Sequence, residues 1–208
     1  MTSTSEREIT TPQGPARAHL HLPGNPRAAL VLGHGAGGGV TAPDLVAATA
    51  TALAMDVAVA LVEQPYRVAG RRSPPPAPRL DLAWTAVLGD LAGGELAGLP
   101  LVTGGRSSGA RVACRTTAAT GSVGVLCLAF PLQPAARAGA TPRPSRLPEL
   151  EAVAVPVLVV QGERDPFGMP EAAPGRTVVR IAGDHALKAD MPAQRVGVGA
   201  WLAELLAL

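Results

Sequence analysis

An α/β chain is what this sequence predicts, with a doubly wound, mostly parallel sheet covered by helices on both faces. Short apolar runs such as Ala28–Leu32 and Val57–Val62 alternate with amphipathic helical patterns along the whole chain. Strands with no polar alternation belong to sheets buried on both faces. The 208 residues suit a single domain spanning 1–208, since a chain of this size buries around 70% of its unfolded surface in one core. A third observation is local: Gly105-Arg106-Ser107-Ser108-Gly109 joins a strand-like run directly to a helix-like run.

The elements follow in order. Glu6 to Leu22 alternates loosely around Pro12-Gln13-Gly14-Pro15 and reads as an edge hairpin. Ala28 to Leu32 is the first buried strand, followed by a helix from about Asp44 to Ala54 and a strand from Val57 to Val62. A helix over Leu80–Leu91, a strand over Leu101–Thr103 and a helix over Ser108–Ala119 come next. Val123–Ala129, Val155–Val160 and Thr177–Ile181 are strands, and the last helix runs from about Pro192 to Leu206. The proline-rich pieces Ser73–Pro78 and Pro131–Pro148 are loops over the carboxyl edge of the sheet, too short for a large lid. In such sheets chemistry gathers at that edge.

Composition excludes several classes of function. The net charge is +2, and the arginines are scattered rather than massed on one segment, which argues against nucleic-acid binding. Leu45 to Val62 is the most apolar stretch, but Thr49, Thr51 and Asp56 break it, so it is a helix, turn and strand and not a membrane span. Met1–Arg7 lacks a basic start and an apolar core, so no secretory signal is expected and the location is expected to be cytoplasmic. Cys114 and Cys127 lack C-x-x-C spacing and read as reduced, buried thiols.

The G-x-S-x-G segment has the form of a nucleophile elbow, in which Ser107 stands on a strained turn and the glycines relieve crowding. The pentapeptide is short and glycine is frequent here, so the rest of the chain must supply a base, an acid and donors for an oxyanion. His185 follows the last strand, in the loop where the base of a Ser, Asp, His order falls. Asp165 ends the run Val160-Gln161-Gly162-Glu163-Arg164-Asp165 and is the candidate acid. Glu163 lies nearer the strand end, and Asp184 is adjacent to His185 and poorly placed to bond its ring. The glycine run after the first buried strand supplies a backbone donor from Ala36 or Gly37, to join that of Ser108.

Two rival readings compete with this one. His19 and His21 share one face of the hairpin, but exposed strand positions explain them better than a metal pair. Gly33-His34-Gly35-Ala36-Gly37-Gly38 is formally G-x-G-x-x-G, with Glu63 ending the next strand where a ribose-binding acid would sit. Pro43 starts the helix too late for a phosphate site, and this dinucleotide reading leaves the elbow unexplained.

Several longer segments resemble a known group. They include Leu32–Gly38, Gln64-Pro65-Tyr66, Gly70–Pro75, Gly104–Arg111, Phe130-Pro131-Leu132, Val160–Gly168 and Gly183–Lys188. Together they look like the small α/β-hydrolases similar to the Tex30 and KANSL-three proteins, a dienelactone-hydrolase-like group. The resemblance implies an α/β-hydrolase fold with minimal or no lid, and carries nucleophile, acid and base onto Ser107, Asp165 and His185. Elbows of the group usually continue with methionine and glycine where this chain has Ser108 and Ala110, a change that leaves the backbone donor intact.

The expected activity is hydrolysis of a small carboxylic ester, thioester or lactone through an acyl-enzyme, with a small-molecule substrate and no metal or organic cofactor. The alternative is a hydrolase-shaped interaction module that does no chemistry, as some relatives are subunits of larger complexes. Tyr66 and Arg106 are the candidate substrate contacts. Arg106 precedes the nucleophile, where it meets an anionic substrate or the oxyanion, or else pairs with Glu63 or Glu163 at the strand ends. Arg71 and Arg72 lie in the loop after the second buried strand, facing either an anion or solvent.

Overall fold

The computed structural model describes residues 1–134 and 143–207. Eight strands form one sheet in the order β1-β2-β4-β3-β5-β6-β7-β8, where β1 is Ser3–Thr11, β2 Gly14–Leu22, β3 Ala28–Gly33, β4 Val57–Glu63, β5 Leu101–Arg106, β6 Gly124–Leu128, β7 Val157–Gly162 and β8 Arg176–Ile181. From β4 to β8 all neighbours are parallel. β1 and β2 form the antiparallel edge hairpin, and β2 runs antiparallel to β4.

Alternate residues of the central strands feed two layers. Leu30, Leu32, Val59, Leu61, Leu126 and Val160 face α1 (Pro43–Leu53) and α6 (Met191–Leu206), which contribute Leu45, Ala48, Trp201 and Leu202. On the other face the strands present Ala29, Val31, Ala58 and Ala60 to α3 (Ala77–Gly93), whose Trp84, Leu88 and Leu91 are buried. The indole of Trp84 packs over Gly33, where a Cβ would lie 3.3 Å from the ring. Further along that face α4 (Ser108–Thr120) and α5 (Leu147–Glu151) cover Val125, Cys127 and Val159. Each fully buried Leu in these layers contributes roughly 2 kcal/mol.

Cys114 and Cys127 are buried free thiols, with their sulfurs 3.5 Å apart between α4 and β6. Among the described residues no helix is long and apolar enough to cross a membrane.

The differences from the sequence expectations have local causes. β5 continues through Gly104, Gly105 and Arg106, beyond the expected end at Thr103, because the glycines pair in register with Leu32 and Gly33 of β3. α3 starts at Ala77, ahead of Leu80, since a proline at the first turn has no amide to lose. The short helix α2 (Pro65–Val68) was not foreseen, nor was α5, whose first residues fall in the stretch Pro131–Pro148 that was expected to be a loop. Residues 135–142 of that stretch lie outside the described residues, and with them the question of a small cap.

Candidate active site

Ser107 sits between the end of β5 and the start of α4 with φ 52° and ψ −106°, a left-handed conformation for a non-glycine residue. Its N–H donates to the Leu128 carbonyl at 2.9 Å and its carbonyl accepts from Arg111 at 3.2 Å, so both neighbouring strand and helix hold the turn. Strain of this kind costs on the order of 1–3 kcal/mol and persists only where the surroundings impose it. A Cβ on Gly105 would lie 2.3 Å from the Gly33 carbonyl oxygen, and one on Gly109 would lie 2.4 Å from the same atom. The crowding that demands glycine on either side of Ser107 therefore comes chiefly from β3.

The other two side chains arrive from neighbouring loops. The His185 Nε2 lies 3.0 Å from the Ser107 Oγ, and its Nδ1 lies 2.8 Å from Asp165 Oδ2. With Nδ1–H donating to the carboxylate, the Nε2 lone pair faces the serine hydroxyl. Asp165 follows β7 and its carboxylate is fully buried. Its Oδ1 accepts from the Phe167 N–H at 2.9 Å, and its Oδ2 also accepts from the Gln161 side-chain amide at 2.8 Å. Gln161 is itself completely buried, and the same amide nitrogen donates to the carbonyls of Phe130 and Gly168. Three acceptors around one nitrogen fix the amide with its NH2 toward Asp165. The Phe167 ring meets the imidazole of His185 edge to face, with centroids 4.5 Å apart. Glu163 is exposed, and Asp184 accepts from the Ala186 N–H instead of touching the ring.

The loop after β3 lies against this row. His34 is buried, donates through Nδ1 to the Gly35 carbonyl at 2.8 Å and accepts the Gln64 N–H on Nε2 at 3.1 Å. Burial holds its pKa below the ordinary histidine value, outweighing the opposite pull of the Gly35 carbonyl. The Tyr66 hydroxyl donates to the Ala36 carbonyl at 2.7 Å. In a trans peptide the N–H points away from the carbonyl oxygen. Holding the Gly35 and Ala36 carbonyls therefore aims the Ala36 and Gly37 amides away from His34 and Tyr66. Neither amide donates among the described backbone hydrogen bonds. Ser108 opens α4, so its N–H belongs to the unpaired first turn.

The two candidate substrate contacts turn out to have protein partners. Tyr66 is spent on the Ala36 carbonyl, and burial pushes its phenol up to about 12. Arg106 pairs with neither Glu63 nor Glu163: its Nε meets Asp44 at 2.9 Å, and an Nη donates to the His185 carbonyl at 3.0 Å. Asp44, on the first turn of α1, carried no signal in the sequence beyond being an acid near a helix start. Gln161 likewise read only as a strand residue. Arg71 is exposed and lines a cavity of about 250 Å³ beside Tyr66, whereas Arg72 is exposed and lies outside it. A larger cavity of about 540 Å³, lined by His19, His21 and Val46, contains none of Ser107, Asp165 and His185.

The rival sites dissolve in the same geometry. The glycine run is loop and α1 begins only at Pro43, so the run does not itself open a helix as the dinucleotide fingerprint requires. Glu63 contacts His19 at 3.2 Å and Arg17 at 3.9 Å. His19 is half-buried, not exposed as expected, with Glu6 on its other nitrogen. Among the described residues no three histidines, cysteines or acids are grouped as metal ligands.

Comparison with known proteins agrees with this architecture. Residues 26–191 match the family model described as an alpha/beta hydrolase domain. The structure is similar to that of XC6422 from Xanthomonas campestris, described as an α/β serine hydrolase without lid (18% identity, 97% of this chain and 96% of that one, TM-score 0.74). Est1E from Butyrivibrio proteoclasticus is similar at 15% identity, with 98% and 99% of the two chains covered and a TM-score of 0.77. A dienelactone hydrolase from Anabaena variabilis is similar at 14% identity, with 99% and 97% covered and a TM-score of 0.71. At these identities the structural likeness establishes the α/β-hydrolase fold. No curated protein matches the chain in sequence. With the family model covering well over half of its length, the chain belongs to the alpha/beta hydrolase domain family.

Proposed function

We propose that this protein is a serine hydrolase acting on small carboxylic esters, thioesters or lactones. The observation that carries the reading is the unbroken row of hydrogen bonds from the Ser107 Oγ through His185 to Asp165, at 3.0 and 2.8 Å. In the proposed reaction the Ser107 Oγ attacks the substrate carbonyl carbon while His185 Nε2 takes the hydroxyl proton. The negative charge that develops on the carbonyl oxygen is met by the N–H of Ser108 and that of Ala36 or Gly37. His185 then gives the proton to the departing alcohol or thiol, leaving Ser107 acylated. Water attacks the acyl carbon, again losing a proton to His185, and the acid leaves as Ser107 is restored. Asp165 keeps the imidazole in the tautomer that accepts from Ser107 and balances its positive charge when protonated. Each step is completed by side chains and amides of this chain.

The substrate class is supported by the dienelactone hydrolase among the structural neighbours. The finer resemblance to the Tex30 and KANSL-three group rests on the segments around Gly35, Tyr66, Ser107, Asp165 and His185, and leaves the substrate open.

The test combines a fluorophosphonate probe with p-nitrophenyl and thioester substrates of graded acyl length. Wild type should label and turn over, and Ser107→Ala and His185→Ala should do neither. Equal labelling of wild type and variants would leave the hydrolase-shaped interaction module as the better description.

A further inference from the structure

We infer that Arg106 and the buried Asp44 form a positioning pair that holds the His185 loop against the elbow, and that Arg106 does not contact substrate. The inference rests on the serine-hydrolase reading for its kinetic arm only. Three contacts of one guanidinium carry it. Its Nε faces Asp44 at 2.9 Å, an Nη donates to the His185 main-chain carbonyl at 3.0 Å, and the other Nη lies so close to Gly35 that a Cβ there would be 3.0 Å away. One planar group therefore touches the first turn of α1, the candidate oxyanion loop and the loop of the candidate base. It does so from the residue immediately before Ser107.

The pairing with Asp44 decides the role. Asp44 is fully buried, and an uncompensated carboxylate there is costly. Burial raises its pKa on balance, and Arg106 is the strongest of the groups that oppose the rise. The Nε of the cation is thereby committed to a buried carboxylate of the protein itself. The α1 end of the tie is anchored as well, since the buried Gln194 of α6 donates to the Asp44 carbonyl at 2.7 Å.

The loop that Arg106 grips needs such a tie. Residues between β8 and α6 form no regular secondary structure, and Leu187 there has φ 50°. Among the described residues, two side-chain hydrogen bonds join the elbow to this loop: Ser107 to His185, which the proposed reaction must break and remake, and Arg106 to the His185 carbonyl, which it need not. A lysine would keep a cation opposite Asp44, but a single ammonium cannot reproduce the fork that reaches both partners.

The experiment compares wild type, Arg106→Lys, Asp44→Asn and the double variant on a neutral ester, p-nitrophenyl acetate, and an anionic one, mono-p-nitrophenyl succinate. A positioning role predicts that Arg106→Lys lowers kcat on the order of 10- to 100-fold for both esters, with KM within about twofold. It also predicts that Asp44→Asn does the same and that the double variant is no worse than the poorer single one, as expected of coupled partners. A KM increase confined to the anionic ester would overturn the inference in favour of substrate contact. Unchanged kcat on both esters would overturn it outright. A readout independent of turnover is the proton resonance of the His185 Nδ1–H: it should move or broaden in Arg106→Lys, and an unaltered resonance in a folded variant would also overturn the inference. If wild type neither labels nor turns over, the hydrolase reading fails, and the resonance alone decides on the positioning pair.

Discussion

Replacing Asp165 by asparagine should inactivate the protein for a reason specific to how its carboxylate is held. Both oxygens accept hydrogen bonds, Oδ1 from the Phe167 N–H and Oδ2 from the Gln161 amide and the His185 Nδ1. An asparagine must put its NH2 at one of the two positions. Placed at Oδ1, the NH2 opposes the Phe167 N–H, and one buried donor goes unsatisfied at a cost of about 1–3 kcal/mol. Placed at Oδ2, it opposes the NH2 of Gln161, which Phe130 and Gly168 keep from turning away. In that orientation it also donates to Nδ1, moving the imidazole proton to Nε2, where it can no longer accept from Ser107. The two costs are similar, so an inactive tautomer is well populated, and in either orientation the negative charge that balances the imidazolium is gone. The expected outcome is a loss of about 1–3 kcal/mol in stability by urea unfolding and a fall in kcat of more than about tenfold on a p-nitrophenyl ester, set chiefly by the lost negative charge, since tautomers of similar cost account for only about twofold. An Asp165→Asn variant that keeps more than about a tenth of the wild-type rate would refute this account.

Tyr66→Phe removes the bond that holds the Ala36 carbonyl; a hydrogen bond of about 1 kcal/mol then no longer biases the Gly37 amide, and kcat should fall roughly fivefold with KM unchanged. A rise in KM alone would return Tyr66 to substrate contact. Gly109→Ala drives a methyl to within 2.4 Å of the Gly33 carbonyl, so it should cost at least about 1–3 kcal/mol in stability, measured by urea unfolding, and a stable variant would show that β3 yields. Folding depresses the pKa of His34, so its contribution to stability is complete above about pH 6.5 and is lost on acidification below that, as the unfolded chain takes a proton that the folded one refuses. The slope from this one group is at most about 1.4 kcal/mol per pH unit. Urea unfolding at pH 7 and pH 5 should show a smaller pH effect in His34→Gln than in wild type, and equal slopes would rule His34 out as the source.

Much of this molecule could be read in one dimension because the relevant signals are local. A strand buried on both faces must be apolar throughout, as in Ala28–Leu32, and a helix covering it must carry an apolar stripe, as in Leu80–Leu91, so the layered sheet follows from periodicity. The elbow is equally local, its glycines spaced by the turn itself. The same signals misled at Gly104 and Gly105, which look like a loop and lie in β5 because the space against β3 and β6 leaves no room for a side chain. Nor did composition mark Gln161 as the group that orients Asp165.

What the amino-acid order alone determined is the sheet, the strand-turn-helix at Ser107 and the candidates for acid and base. What only the tertiary structure decided is who holds whom: Arg106 with Asp44 instead of Glu63 or Glu163, Tyr66 on the Ala36 carbonyl, and His34 as a neutral bridge to Gln64. These partnerships join separate loops that meet because strand order brings β4, β3 and β5 side by side. A hydrogen bond or an ion pair depends on distances of a few ångströms, which chain spacing does not encode across an intervening helix.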